Sequence, residues 1–490
     1  MPPSVAEAKF ARCTADAVVC SPGEALVESC RQLDIVSGRI AGDVGEPSVV
    51  FEAPGTVAVP SLANGHDHGR PFSPVAIGAV DGPLETWLTA VRQMPDLDPE
   101  AAAVVFFARL LTSGFTASMH LDRPADPQTL VDSLPIVGKT ATTMGMTAAI
   151  AVPMANQSHL LYADNDLAIE ALRGCGYTAD PSSFVPDSIA SVDEQLAAVD
   201  AIAEALDGDR ATVQYGPHGP QWASSDMLEA VADASLRTGR RIHMHLLETE
   251  RQRRWADEEY PGGLLVHLDE LGLLSDRLSV AHGVWLRPGE LELLAERGVS
   301  VVVNSSSNLR LRSGIAPMAA MLAAGVDVAM GLDGMGIDDE PDGFRETRLV
   351  HLLQAGTAMD DVVSIRDCFY AGMEQSHRVV RGEPGPWGFG VGAPADIVFL
   401  DRDRLRADLA AEVDDAQLIR TRATMEYVQH VVSNGEVVVR DGQVLTADVE
   451  AASAVIREQL LARAEDVSAR AAAVAALQQA QHQHYSGGCC

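Results

Sequence analysis

Eight short apolar runs rich in β-branched residues alternate with longer Ala- and Leu-rich stretches between residues 57 and 334, and this rhythm restricts the fold more than any other feature. The runs are VAVPSLANGH (57–66), FTASMH (115–120), TAAIAVPM (147–154), ATVQYGPHG (211–219), RIHMHLLE (241–248), LSVAHGVWL (278–286), VSVVVNSSSN (299–308) and VDVAMGLDG (326–334). The stretches between them carry helix punctuation. SSDMLEAVADASLRTG opens on a serine cap and ends on glycine, and PGELELLAERG opens on proline and ends on glycine. Strands separated by helices run parallel in one sheet, and eight of them predict an α/β fold of the (β/α)8 TIM-barrel type over residues 60–385. An open doubly wound sheet fits less well, because no G-x-G-x-x-G follows the first strand.

The flanks have a different texture. Residues 1–59 hold short alternating runs and turns (DIVSGRIAG, SVVFEAPG), and residues 386–446 hold GAPADIVFLD and QHVVSNGEVVVRDGQVL, with an N-G turn between β-branched strands. They predict one small β-sandwich domain assembled from both chain ends. Residues 447–490 predict a long Ala-rich helix to about residue 480, suited to packing or oligomer contact, and then a flexible tail, because HQHYSGGCC has no apolar period.

Charge and cysteine usage exclude several classes. A formal net charge of −33 argues against a nucleic-acid or anionic-membrane partner, since phosphate demands a cationic face. The cysteines (Cys13, Cys20, Cys30, Cys175, Cys368, Cys489, Cys490) are scattered and odd in number, which suits a reducing compartment better than a disulfide framework. With neither a signal pattern nor an apolar run of about 18 residues, the expected location is the cytoplasm.

Polar residues gather at the C-terminal ends of the predicted strands: His66 and His68 on the first, His120 on the second, His218 on the fourth, His245 and Glu248 on the fifth, His282 on the sixth, Asn304 on the seventh and Asp333 on the eighth. Active sites of this fold sit on that face. Any one of these histidines alone reads more simply as a satisfied rim residue. Residues i and i+2 of a strand share a side, so His66 and His68 project into one space. The same H-x-H spacing recurs at His243/His245 and at His482/His484, so spacing by itself decides little.

Taken together, H-x-H on the first strand, H-L-L-E (245–248), A-H-G around His282 and G-L-D-G around Asp333 resemble the amidohydrolase superfamily, and within it the aminohydrolase branch of guanine, S-adenosylhomocysteine and s-triazine hydrolases. The similarity extends through GPHGPQWASSDML, NSSSNLRLRSGIAP and GAPADIVFLD. The resemblance implies that His66, His68, His245 and Asp333 hold one divalent metal, that Glu248 shuttles protons and that His282 orients the attacking water. His243 and His245 share the inward side of one strand; the resemblance places the ligand three residues before the glutamate, which selects His245 and leaves His243 deeper. A two-metal site would need a carboxylated lysine after the fourth strand, and the only lysines are Lys9 and Lys139, so a single metal is expected.

Three imidazoles and a carboxylate suit Zn²⁺, with Fe²⁺ or Mn²⁺ as alternatives. The implied activity is hydrolytic deamination of an amino-substituted N-heterocycle of purine, pyrimidine, pterin or s-triazine type. The rival reading is removal of chloride, an alkylamine or an amide or cyclic-amidine nitrogen on the same scaffold, and a remote one is a non-catalytic assembly or sensing protein. His218, Gln221, Trp87, His120 and Arg70 are the candidate substrate-binding residues, Trp87 as a lid. The expected partners are a small-molecule substrate and further copies of the chain, as a homodimer or higher homo-oligomer.

Overall fold

The computed structural model describes residues 11–487 except positions 24, 25, 29–31, 43, 44, 124, 159, 181–183, 186, 187 and 209. Lys9, Cys30, Cys489 and Cys490 lie outside the described residues. Eight parallel strands follow one another in chain order around a barrel: β1 (Leu62–Asn64), β2 (Phe115–Leu121), β3 (Thr147–Met154), β4 (Ala211–Pro217), β5 (Ile242–Leu246), β6 (Leu278–His282), β7 (Ser300–Val303) and β8 (Asp327–Met330). Each is paired in parallel with the next. The seam between β8 and β1 is closed just beyond the short first strand, where Gly65 N donates to Met330 O and Asp333 N to His66 O, both at 2.9 Å. Asn64 Oδ1 adds an acceptor for Leu332 N at 2.9 Å.

Composition explains the packing. Strands covered on both faces have no solvent side, so they read as unbroken apolar runs rather than as alternations. The inward face is built from small residues, Ala63, Ala117, Ala149, Ala151 and Ala329, interleaved with Met119 and Val302, and is plugged below by Val379 and Val380. An eight-strand barrel has room inside for little more than that. The outward face carries larger residues such as Phe115, Ile150, Val213, Val280 and Val301, which pack beneath the surrounding helices. Those helices keep the predicted caps: Ser224 accepts from Met227 N, and Gly239 ends the same helix at φ 72°.

The flanking segments form a single nine-strand sheet. Its two halves join where Val49–Pro60 pairs antiparallel with Ile397–Asp401. The sheet folds over at its edge, since Arg39 bridges to Pro394 and Ile40 N donates to Ala393 O at 2.8 Å. One face, including Phe51, Ile397 and Phe399, therefore encloses its own small core. The other, including Val57, Val59, Val398 and Leu400, merges with the barrel's core. Asn434 and Gly435 both take positive φ (49° and 83°) in the hairpin turn, as the N-G signal requires.

The structure departs from the sequence reading in four places. Val57–Pro60 belongs to the flanking sheet, and the barrel strand begins only at Leu62. The seventh strand stops at Val303, because Ser305–Arg310 is helical. The C-terminal stretch is two helices, Val449–Ala462 and Ala464–Tyr485, so His482–Tyr485 is not a flexible tail. Its polar look hides a packed stripe: Val474, Leu477 and Ala480 are buried, and Gln481 is fully buried with both ends of its amide bonded, to Thr89 Oγ1 and to Leu160 O. Finally, Cys175 is disulfide-bonded, while Cys13, Cys20 and Cys368 are free thiols. Among the described residues no helix is long and apolar enough to cross a membrane.

Candidate active site

The strand ends bring His66, His68, His245, His282 and Asp333 to one point at the top of the barrel. One ligand atom from each of His66, His245, His282 and Asp333 lies within 4.8 Å of the others. His68 Nε2 stands 3.1 Å from Asp333 Oδ1 and 3.3 Å from His245 Nε2. His66 Nε2 is 3.3 Å from the same Asp333 oxygen. Of the four proposed ligands, His68 thus joins the cluster through Asp333 and His245, and His282 adjoins it as a fourth imidazole.

The opposite ring nitrogens reveal what the inner ones are for. His68 Nδ1 lies 2.7 Å from Leu121 O and His245 Nδ1 lies 2.5 Å from His218 O. A carbonyl only accepts, so both rings carry a proton on Nδ1 and turn Nε2 inward. His66 Nδ1 faces His243 Nε2 at 2.8 Å, and His243 Nδ1 faces Ser279 Oγ at 2.7 Å. His243 therefore lies behind His66 and holds it in place. Burial pushes His66 down to about 4 and lowers His243 and His245 well below the ordinary imidazole range, so these rings are neutral at pH 7.

The unprotonated His66 Nε2 and the Asp333 carboxylate oxygen, facing one another at 3.3 Å, repel unless a cation lies between them. His66 Nε2 and Asp333 Oδ1 are in fact buried with no hydrogen-bond partner. Orphaned buried polar atoms are costly, and a divalent cation satisfies all of them at once. The donor set fits such an ion. Backbone geometry is bent to create it: His282 and Asp333 take φ of 75° and 58°, in the left-handed region that costs a non-glycine residue roughly 1–3 kcal/mol.

Glu248 and His282 flank this point. Glu248 Oε2 is 3.8 Å from His282 Nε2, and its Oε1 accepts from Ser313 Oγ at 3.0 Å. Burial first, and nearby Asp333 in the same direction, raise the Glu248 carboxyl to about 7, against the opposing effects of His282 and Ser313. The point opens into a cavity of about 120 Å³ whose walls include Trp87, Leu88, Met94, Trp222 and Leu311.

The substrate-binding candidates divide. Arg70, Trp87 and His218 line the cavity, with the Arg70 guanidinium 5.3 Å above the Trp87 ring and its Nη1 donating to Asp333 O at 3.0 Å. Trp87 sits in the helix Leu84–Val91 and is buried, donating to Ala79 O, so it is a wall as well as an anchor. Gln221 and His120 do not line the cavity. His120 packs against Phe106 and Gly69, on the helix side of β2, while its neighbours Met119 and Leu121 face the interior. Asn304 is buried, with its amide 3.4 Å from His282 Nδ1. Ser307, Asn308 and Ser313, which no sequence signal singles out, contact Asp333, His282 and Glu248 respectively.

Comparison with known proteins gives a consistent picture. The sequence profile of the Amidohydrolase family matches residues 57–438. A 5'-deoxyadenosine deaminase of Methanosarcina barkeri is 35% identical over 237 residues, a stretch spanning 48% of this chain and about half of that protein (54%). A 5-methylthioadenosine/S-adenosylhomocysteine deaminase of Halobacterium salinarum is 30% identical over 431 residues, 83% of this chain and 88% of that protein. Among solved structures, a zinc-bound adenosine deaminase from Xanthomonas campestris superposes with a TM-score of 0.75 at 22% identity, covering 92% of this chain and 97% of the other. An atrazine chlorohydrolase from Arthrobacter aurescens TC1 complexed with zinc gives 0.73 at 20% identity, covering 92% and 100%. These two likenesses concern the fold.

Proposed function

Because the chain belongs to the amidohydrolase family, we propose that it is a metal-dependent aminohydrolase that removes the amino group of an aminated N-heterocycle, with an adenine-type nucleoside as its preferred substrate class. The reaction class is carried by one observation: the inward Nε2 atoms of His66, His68 and His245 meet Asp333 Oδ1 with every Nδ1 already committed elsewhere, beside a buried carboxyl at Glu248. The adenine preference is supported by relatives named 5'-deoxyadenosine deaminase and 5-methylthioadenosine/S-adenosylhomocysteine deaminase.

His66, His68, His245 and Asp333 would hold the ion, with zinc the best match to three nitrogens and one oxygen. Such an ion supplies Lewis acidity and acidifies a water in the cavity. The remaining steps belong to the chain. His282, its Nδ1 engaged by Asn308 Oδ1, presents Nε2 to the attacking water and fixes its direction. Asp333, whose Oδ2 is held by Ser307, accepts the proton that this water loses as it adds to the ring carbon. Glu248 protonates the adjacent ring nitrogen, which makes that carbon electrophilic, and a proton then passes to the amine as the C–N bond breaks and ammonia departs. A carboxyl near 7 is matched to both giving and receiving a proton at neutral pH.

Ammonia release from the zinc-loaded protein tests this directly, with 5'-deoxyadenosine, adenosine, guanine, a pterin and an aminated or chlorinated s-triazine as the panel. Ammonia from a purine member, abolished by chelation and restored by zinc, is the expected result. Chloride or alkylamine release without ammonia would replace deamination by the other leaving-group chemistry on the same site.

A further inference from the structure

One short segment touches all three side chains to which acid–base and orienting roles are given above, and the inference drawn from it rests on those roles. Ser307 Oγ donates to Asp333 Oδ2 at 2.5 Å, Asn308 Oδ1 accepts from His282 Nδ1 at 2.8 Å, and Ser313 Oγ donates to Glu248 Oε1 at 3.0 Å. Asp333, His282 and Glu248 stem from three different strands or strand ends, yet their orientation is shared through the nine-residue stretch 305–313. A small displacement of this stretch would move three reacting groups together.

What holds the stretch comes from farther out. Its helix, Ser305–Arg310, receives no cap from the Asn304 side chain, so its first-turn amides need acceptors from elsewhere. Glu346, in the helix Gly343–Gln354, provides them: Oε1 accepts from Ser306 N at 3.0 Å and Oε2 accepts from Ser306 Oγ. Glu346 is 2% exposed and Ser306 is 1% exposed, and neither lines the cavity. A carboxylate is expensive to bury, and this one has both oxygens engaged at the start of the 305–313 stretch.

We propose that Glu346 is a positioning residue: through its two bonds to Ser306 it fixes the 305–313 segment, and so sets Asp333, His282 and Glu248 as one unit. Misplacing a reacting group by about 1 Å can cost on the order of a hundredfold in rate. Glutamine can replace the carboxylate here, because its carbonyl accepts from the amide while its NH₂ donates to a serine hydroxyl that turns to accept. Alanine can do neither.

The test compares wild type, Glu346→Ala, Glu346→Gln and Ser306→Ala as full-length zinc-loaded proteins, by turnover of 5'-deoxyadenosine and by amide hydrogen exchange of peptides spanning 300–315. Glu346→Ala is expected to accelerate exchange in that window at least about tenfold, leaving the other barrel strands unchanged, and to lower kcat roughly thirtyfold or more with KM within about threefold. Glu346→Gln should stay within about fivefold of wild type in kcat, and Ser306→Ala should shift both readouts in the direction of Glu346→Ala by a smaller step. Wild-type exchange and kcat in Glu346→Ala overturn the proposal, as does a Gln variant as impaired as Ala or an effect confined to KM. If Glu346→Ala does not fold, Ser306→Ala decides the matter by the same two readouts, and an unaltered variant refutes the anchor. A wild-type protein that releases no ammonia counts against the proposed reaction alone, since exchange of 300–315 still decides whether Glu346 holds the segment.

Discussion

Three imidazoles can offer their inner nitrogens to one point because each has surrendered its outer nitrogen, to Leu121 O, His218 O or His243. This division of labour separates the effects of neighbouring substitutions. Glu248→Gln removes a proton carrier and no ligand, so metal content should match wild type while kcat falls about 10²- to 10⁴-fold; elemental analysis beside the ammonia assay checks both, and near-normal turnover would refute the role given to Glu248. Asp333→Asn should lower both quantities, and retention of full metal and rate would remove Asp333 from the site. His66, His68, His245, Glu248, His282 and Asp333 can be picked out at strand ends because a strand fixes which way a side chain points and the barrel fixes which end matters. His120 shows the limit: it was placed at the right height, but it is out of phase with Met119 and Leu121 and turns towards Phe106. Ser307, Asn308 and Ser313 are not legible, since serine and asparagine just beyond a strand are ordinary, and the partners that give them meaning lie 26, 26 and 65 positions away.

Among the elements, the seam between β1 and β8 has no room for added volume. A Cβ on Gly331 would lie 2.5 Å from Asn304 Oδ1 and 2.8 Å from His66 N, and both neighbours are fully buried. Gly331→Ala should therefore cost about 1–3 kcal/mol through overpacking and displace His66, lowering thermal stability and zinc occupancy together. A variant with the wild-type melting temperature and full zinc would show that the seam gives way freely. Alternating apolar runs and helices gave all eight strands, but their ends were harder to see. Val57–Pro60 and Leu62–Asn64 are one continuous apolar stretch, and nothing local states that the first pairs with Ile397–Asp401 and the second with β2. At the end of β7, Asn304–Asn308 leaves the strand because its polar residues begin a helix whose amides find Glu346, an acceptor 40 positions downstream.

Across the whole molecule, the C-terminal helix Ala464–Tyr485 grips the walls of the cavity. Gln481 bonds Thr89 of the Trp87 helix on one side and Leu160 on the other, and Gln478 Nε2 donates to Thr86 O at 2.9 Å. Gln481→Ala strands buried polar partners, an effect of about 1–3 kcal/mol. The expected outcome is a lower melting temperature and a several-fold higher KM for 5'-deoxyadenosine with kcat nearly unchanged, because the cavity wall loosens while the strand-end groups stay put. Equal losses in kcat would instead tie this helix to the chemistry. The flanking sheet has a consequence of another kind, in time rather than in space. Arg39 Nη1 donates to Gly392 O across 353 positions of sequence. At a synthesis rate of about 5–20 residues per second, the early strands wait roughly 18–70 s for their partners to leave the ribosome. During that interval the edge of Val49–Pro60 that later takes Ile397–Asp401 stays unpaired, a template for pairing with another chain that the finished molecule no longer presents.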